Sequence, residues 1–81
     1  MYTIYGKPNC PYCDQAKALL ILKNLEFEEH IIDIGQVKEE GKSYVTADQL
    51  RAIVPTARTV PQILLNEELI GGFEALKASL A

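Results

Sequence analysis

Lys7-Pro8-Asn9-Cys10-Pro11-Tyr12-Cys13 is the stretch on which the reading of this chain turns. It holds both cysteines of the 81 residues, with two residues between them. Tyr2-Thr3-Ile4-Tyr5 precedes it, β-branched and aromatic, and reads as a strand that Gly6 ends. An apolar-periodic segment, Ala16 to Leu22, follows it. Strand, C-x-x-C and helix in that order are the setting in which this spacing reads as a redox pair. Cys10 at the N-cap would face the unpaired N–H groups of the first helical turn. The positive end of the helix dipole favours a thiolate there. Pro11 falls at the first helical position, where its missing N–H costs nothing. Lys7 adds a cation three residues upstream. These features lower a cysteine pKa, so Cys10 is expected to attack. Cys13, one turn in and on the apolar stripe, is expected to resolve.

Working outward, helix one is predicted over Pro11–Asn24. Cys13, Ala16 and Leu20 form its buried stripe, widened by Leu19 and Leu22, and Asn24 is its stop. Phe27 to Ile34 reads as a second strand, buried at its far end on both sides. Strand, helix and strand imply a right-handed parallel βαβ unit. His30, the sole histidine, reads as a partly exposed strand residue rather than a catalytic base, because no pairing motif surrounds it. Gly35 to Val45 reads as a loop, with room for a helical turn at Val37–Glu40. Thr46-Ala47-Asp48-Gln49 is a capping box that opens helix two. Ala47, Leu50, Ile53 and Val54 are its expected buried face, and Pro55 ends it. Pro61–Leu65 and Glu68–Ile70 read as a hairpin across Asn66-Glu67, although Asn-Glu is not a preferred hairpin dipeptide. Gly71-Gly72 breaks the second strand. Phe73 to Leu80 is a last short helix, with Phe73, Leu76 and Leu80 towards the core.

Composition narrows the function classes. The chain is 48% hydrophobic with a formal net charge of −3, so one domain spanning 1–81 and one core are expected. No Lys/Arg block provides the basic face of a nucleic-acid binder. No apolar run reaches the ~20 residues of a membrane span. Met1 leads directly into strand-like residues, so no secretory leader and a reducing, cytoplasmic setting are expected.

Together these pieces resemble a glutaredoxin of the dithiol class. The residues that carry the resemblance are Lys7-x-x-Cys10-Pro11-Tyr12-Cys13, Arg58-Thr59-Val60-Pro61 and Gly71-Gly72-Phe73, in that order and over nearly the whole chain. The resemblance implies an α/β, thioredoxin-like fold: a four-stranded mixed sheet with helices on both faces, in the order β-α-β-α-β-β-α. It implies glutathione-dependent reduction of protein disulfides and of glutathione mixed disulfides, with glutathione as co-substrate and no metal. By the same resemblance Lys7 and Arg58 would attract glutathione carboxylates, and Tyr12 would line the groove. Thr59 and Val60 would pair their backbone with the cysteinyl part, and Pro61 would be cis beside the sulfurs. Gly72 and Phe73 would bring a helix N-terminus to the γ-glutamyl carboxylate. Many relatives carry Ser/Thr-Asp after that aromatic. Here Glu74-Ala75 stands there, which leaves Glu74 to meet the γ-glutamyl ammonium.

Partners implied by the resemblance are glutathione and disulfide-containing proteins, ribonucleotide reductase among them, acting on a monomer. Two alternatives differ in chemistry. One is a redoxin fed by thioredoxin reductase, against which Lys7, Arg58 and Gly71-Gly72 speak. The other is an iron–sulfur carrier using Cys10 and glutathione, against which Pro11 speaks by family habit. A zinc site is weaker still, because Cys10, Cys13 and His30 fall short of four ligands.

Overall fold

The chain alternates strands and helices so that one central sheet receives a helix layer on each face. The structure is a computed structural model and describes residues 1–81. Its elements are β1 (Tyr2–Gly6), α1 (Pro11–Leu22), β2 (Phe27–Ile32), β3 (Ser43–Val45), α2 (Ala47–Ile53), β4 (Gln62–Leu65), β5 (Glu68–Gly71) and α3 (Phe73–Ser79). The sheet order is β3-β2-β1-β4-β5. β1 runs parallel to β2 and antiparallel to β4, while β2 and β3 are parallel and β4 and β5 antiparallel. No helix is long and apolar enough to cross a membrane.

Side chains alternate across a strand, and the central strands use both faces. Tyr2 and Ile4 of β1 and Ile63 of β4 pack with Ala16 and Leu20 of α1 and Leu76 of α3. Tyr5 and Leu64, each one residue on in its strand, point the other way. They pack with Ile32, with Leu50 and Val54 of the α2 region, and with Ala57. Two small cores result, one under α1 and α3 and one under α2. Burial of Tyr5 pushes its phenol above the usual range, helped by the nearby Glu28 carboxylate.

Most of the predicted elements stand, with shifts that have local causes. Helix α1 stops at Leu22. Asn24 takes the left-handed φ of 58°, Asn24 N–H bonds Ile21 O, and Leu25 N–H bonds Leu20 O at 2.9 Å. That is a Schellman closure with asparagine in the glycine position. Leu22 is exposed rather than buried, because it sits about 200° round the helix from Leu20. The second strand ends at Ile32, not Ile34. Asp33 Oδ1 accepts from Gly35 N–H, and the Gln36 amide bridges Ile34 N–H and Ile32 O, so the chain turns out and Ile34 is exposed. The Gly35 N–H, and then the Lys38 ammonium at 3.0 Å, hold the Asp33 carboxyl below its ordinary range.

Three expectations are corrected here. The sheet has five strands instead of four, because Ser43–Val45, expected as loop, pairs with His30–Ile32. The loop before it contains no helical turn at Val37–Glu40: it turns at Glu39–Lys42 around Gly41, at φ 79°. In α2, Leu50 and Val54 are buried, but Ala47 and Ile53 are exposed. Seven residues cover the lower core with one stripe only. The hairpin forms as predicted. Asn66 and Glu67 both have positive φ, the pattern of a type I′ turn. The Asn66 side chain accepts from the N-terminal ammonium, and its N–H bonds Met1 O, which ties the turn to β1.

The capping box is complete: Thr46 Oγ1 accepts from Gln49 N–H at 3.0 Å, and Gln49 Oε1 accepts from Thr46 N–H at 2.8 Å. Thr46→Ala removes one side of it and is expected to cost about 1 kcal/mol. Chemical denaturation measures this as a lower midpoint at unchanged slope. An unchanged midpoint would contradict the capping role.

Candidate active site

The end of β1 and the start of α1 place Cys10 at the N-cap of α1, with φ −119° and ψ 99°. Pro11 is the first helical residue, and Asp14 N–H closes the first turn onto Cys10 O at 3.1 Å. Cys13 N–H points at Cys10 Sγ, 3.2 Å away. One of the orphan donors of the helix is therefore spent on this sulfur, as the sequence predicts. Cys10 and Cys13 are joined as a disulfide. Both are buried: Cys10 is 6% exposed and Cys13, on the stripe with Ala16 and Leu20, 3%.

The loop before β4 meets the sulfurs from the other side. Val60–Pro61 is cis, as the resemblance implies. Val60 O lies 3.9 Å from Cys10 Sγ. The Thr59 carbonyl already accepts from Gln62 Nε2 at 2.7 Å. No backbone hydrogen bond uses the Val60 N–H, so it is left over for a ligand.

An open groove of about 190 Å³ starts here. Lys7, Arg58, Thr59 and Val60 line it, over an apolar floor that includes Ile32, Leu50 and Ala57. Lys7 and Arg58 thus share one groove beside the disulfide, on a chain whose net charge is negative. Arg51 of α2 lines it too, a cation that the sequence reading did not place, ion-paired to Asp48 at 2.8 Å. Ala47 is exposed because it faces this groove.

On the far side of the sulfurs, Tyr12 is 58% exposed, and its ring centroid lies 6.1 Å from that of Phe73. The starts of α1 and α3 meet through these rings. Gly72 is the N-cap of α3, and a Cβ there would stand 3.6 Å from Pro61 O. Pro61, Gly72, Phe73 and Tyr12 thus form a second cluster next to the groove. Glu74 is exposed in the first turn of α3 and forms no ion pair. His30 bonds Ser43 Oγ through Nδ1 at 2.7 Å and stacks on Tyr5.

The family is then decided by a direct match: the Glutaredoxin family model covers residues 2–70 of this chain. The chain belongs to the glutaredoxin family. Glutaredoxin 3 of Escherichia coli K12 is 41% identical over 76 residues, which span 93% of this chain and 80% of that protein. The glutaredoxin of Haemophilus influenzae is 37% identical over 76 residues, spanning 90% of this chain and 85% of the relative. Among solved structures, glutaredoxin 1 from Francisella tularensis, complexed with cacodylate, aligns with a TM-score of 0.72 at 29% identity, over 98% of this chain and 90% of that one. A buckwheat glutaredoxin solved with glutathione aligns with a TM-score of 0.65 at 18% identity, over 98% of this chain and 66% of that one, a likeness of fold. The thioredoxin-like fold and the redox-active Cys10/Cys13 pair make this glutaredoxin a thiol–disulfide oxidoreductase.

Proposed function

We propose that this glutaredoxin uses glutathione as its reductant, and that it reduces glutathione mixed disulfides through Cys10 alone and protein disulfides through Cys10 and Cys13. The observation that carries this reading is the groove lined by Lys7, Arg58 and Val60, where the Val60 N–H is free and the Val60 carbonyl lies 3.9 Å from Cys10 Sγ. A tripeptide with two carboxylates and a central thiol suits that arrangement of charge and main chain. Thr59 and Pro61 hold Val60 in place, and Tyr12, Gly72, Phe73 and Glu74 border the γ-glutamyl end.

In the proposed cycle the Cys10 thiolate attacks the glutathionyl sulfur of a mixed disulfide, and the target thiolate leaves and takes a proton. A second glutathione thiolate attacks that glutathionyl sulfur. Glutathione disulfide forms, and Cys10 is returned as thiolate. With a protein disulfide, Cys10 bonds one target sulfur and the other leaves. Cys13 thiolate then attacks Cys10 Sγ, expelling the target's remaining thiolate and forming the disulfide seen here. Two glutathione molecules reduce it. At rest, the Cys13 N–H and the α1 dipole favour negative charge on Cys10. We further assign the protein to the cytoplasm as a monomer, with ribonucleotide reductase as a candidate target.

The test is turnover of a small glutathione mixed disulfide, coupled to glutathione and glutathione reductase or, in a parallel assay, to thioredoxin reductase. Turnover only with glutathione is expected. Lys7→Gln combined with Arg58→Gln should then raise the apparent KM for the glutathione substrate about tenfold and flatten its dependence on salt, because the loss is one of electrostatic attraction. Turnover sustained by thioredoxin reductase alone, or kinetics unchanged in the double variant, would contradict the reading.

A further inference from the structure

Gly6 ends β1 directly behind the disulfide, and its lack of a side chain has a consequence for the chemistry. A Cβ built on Gly6 would stand 3.2 Å from Cys13 Sγ and 3.3 Å from Cys13 Cβ. Both distances are inside the roughly 3.5–4.0 Å of comfortable van der Waals contact. Neither side has slack. Gly6 is buried and sits in the parallel ladder opposite Ile31. Cys13 is the third residue of α1, 3% exposed, and its sulfur is tied to Cys10.

We propose that Gly6 is a positioning residue for Cys13: the missing side chain is the space that lets the resolving sulfur close onto Cys10. The proposal rests on the reading that Cys10 attacks and Cys13 resolves. A methyl group at position 6 acts differently on the two redox states. In the dithiol, rotation about the Cys13 Cα–Cβ bond can carry Sγ to another staggered position and relieve the contact with sulfur, while the contact with Cβ is common to both states. In the disulfide Sγ cannot leave. Gly6→Ala therefore disfavours the closed form relative to the open one, and it slows the step in which Cys13 thiolate attacks Cys10 Sγ, the Cys10–Cys13 bond forms and the bond from Cys10 to the target breaks. The single-sulfur route never brings Cys13 onto Cys10 and escapes the penalty.

The experiment compares Gly6→Ala with the unaltered protein in three measurements. Equilibration against glutathione redox buffers should show the constant for forming the internal disulfide lowered about tenfold. For this two-electron couple, that is a potential about 30 mV more oxidising. The ratio of protein-disulfide to mixed-disulfide turnover should fall about tenfold. Added to Cys13→Ser, Gly6→Ala should leave mixed-disulfide turnover where Cys13→Ser alone sets it. An unchanged potential and ratio, or a parallel fall in both activities as from a loss of folded protein, would overturn the proposal. If oxidised Gly6→Ala does not fold, its folding is measured again in the reduced state. A fold kept by the dithiol and lost on oxidation supports the proposal, and failure to fold in both states overturns it. Unequal roles of the cysteines are tested separately, by mixed-disulfide turnover of Cys13→Ser without any change at Gly6.

Discussion

Cys10→Ser is expected to abolish both activities, by on the order of a thousandfold or more, as for the loss of any sole nucleophile. Every proposed route begins with a bond to the Cys10 sulfur. A serine hydroxyl at the same N-cap still accepts the Cys13 N–H, so the helix start keeps its cap and the fold keeps its stability. The loss is then chemical. Rates with a glutathione mixed disulfide and with a disulfide-bonded protein check it, alongside a thermal melt of the variant. Residual turnover above a few per cent with either substrate would mean that Cys13 can act first.

Cys13→Ser should divide the two activities. Mixed-disulfide turnover needs one enzyme sulfur and should stay within about twofold of the unaltered rate, or rise, because the internal disulfide no longer diverts Cys10. Protein-disulfide reduction by the dithiol route should fall about a hundredfold, because nothing within the enzyme displaces the target from Cys10. Cys13 is buried on the α1 stripe, and apolar surroundings keep a thiol protonated and slow. If Cys13→Ser lost mixed-disulfide turnover completely, a thioredoxin-like dithiol mechanism would replace the one proposed here.

What could be read without coordinates was whatever local chemistry determines. Cys10 as N-cap with Pro11 behind it, Asn24 as the helix stop, the Thr46–Gln49 box and the hairpin at Asn66-Glu67 each involve residues within a few positions of one another. Each formed. Features set by tertiary pairing were not legible. Ser43–Val45 is three residues long and becomes a strand only because β2 offers a free edge. Leu22 and Ile53 are apolar enough for the core, but how wide a stripe each helix buries depends on what lies opposite. The site divides in the same way. Lys7, Arg58, Thr59 and Val60 were named from the family pattern, and the fold gathers them along one groove. Arg51 joined them because α2 lies along that groove, which a reading of its amphipathic pattern cannot show. Gly6 read as strand punctuation, and its contact with Cys13 exists only once α1 folds back on β1.

The central claim is that Cys10 carries the glutathionyl group between target and reductant. It is tested most directly by trapping that species. Reduced Cys13→Ser protein is treated with a glutathione mixed disulfide, and the product is analysed by intact mass and peptide mapping, then challenged with fresh glutathione. The account predicts one glutathionyl adduct per chain, located on Cys10 and removed by glutathione at a rate that matches steady-state turnover. Absence of the adduct, or an adduct on Cys10 that glutathione does not remove, would contradict it.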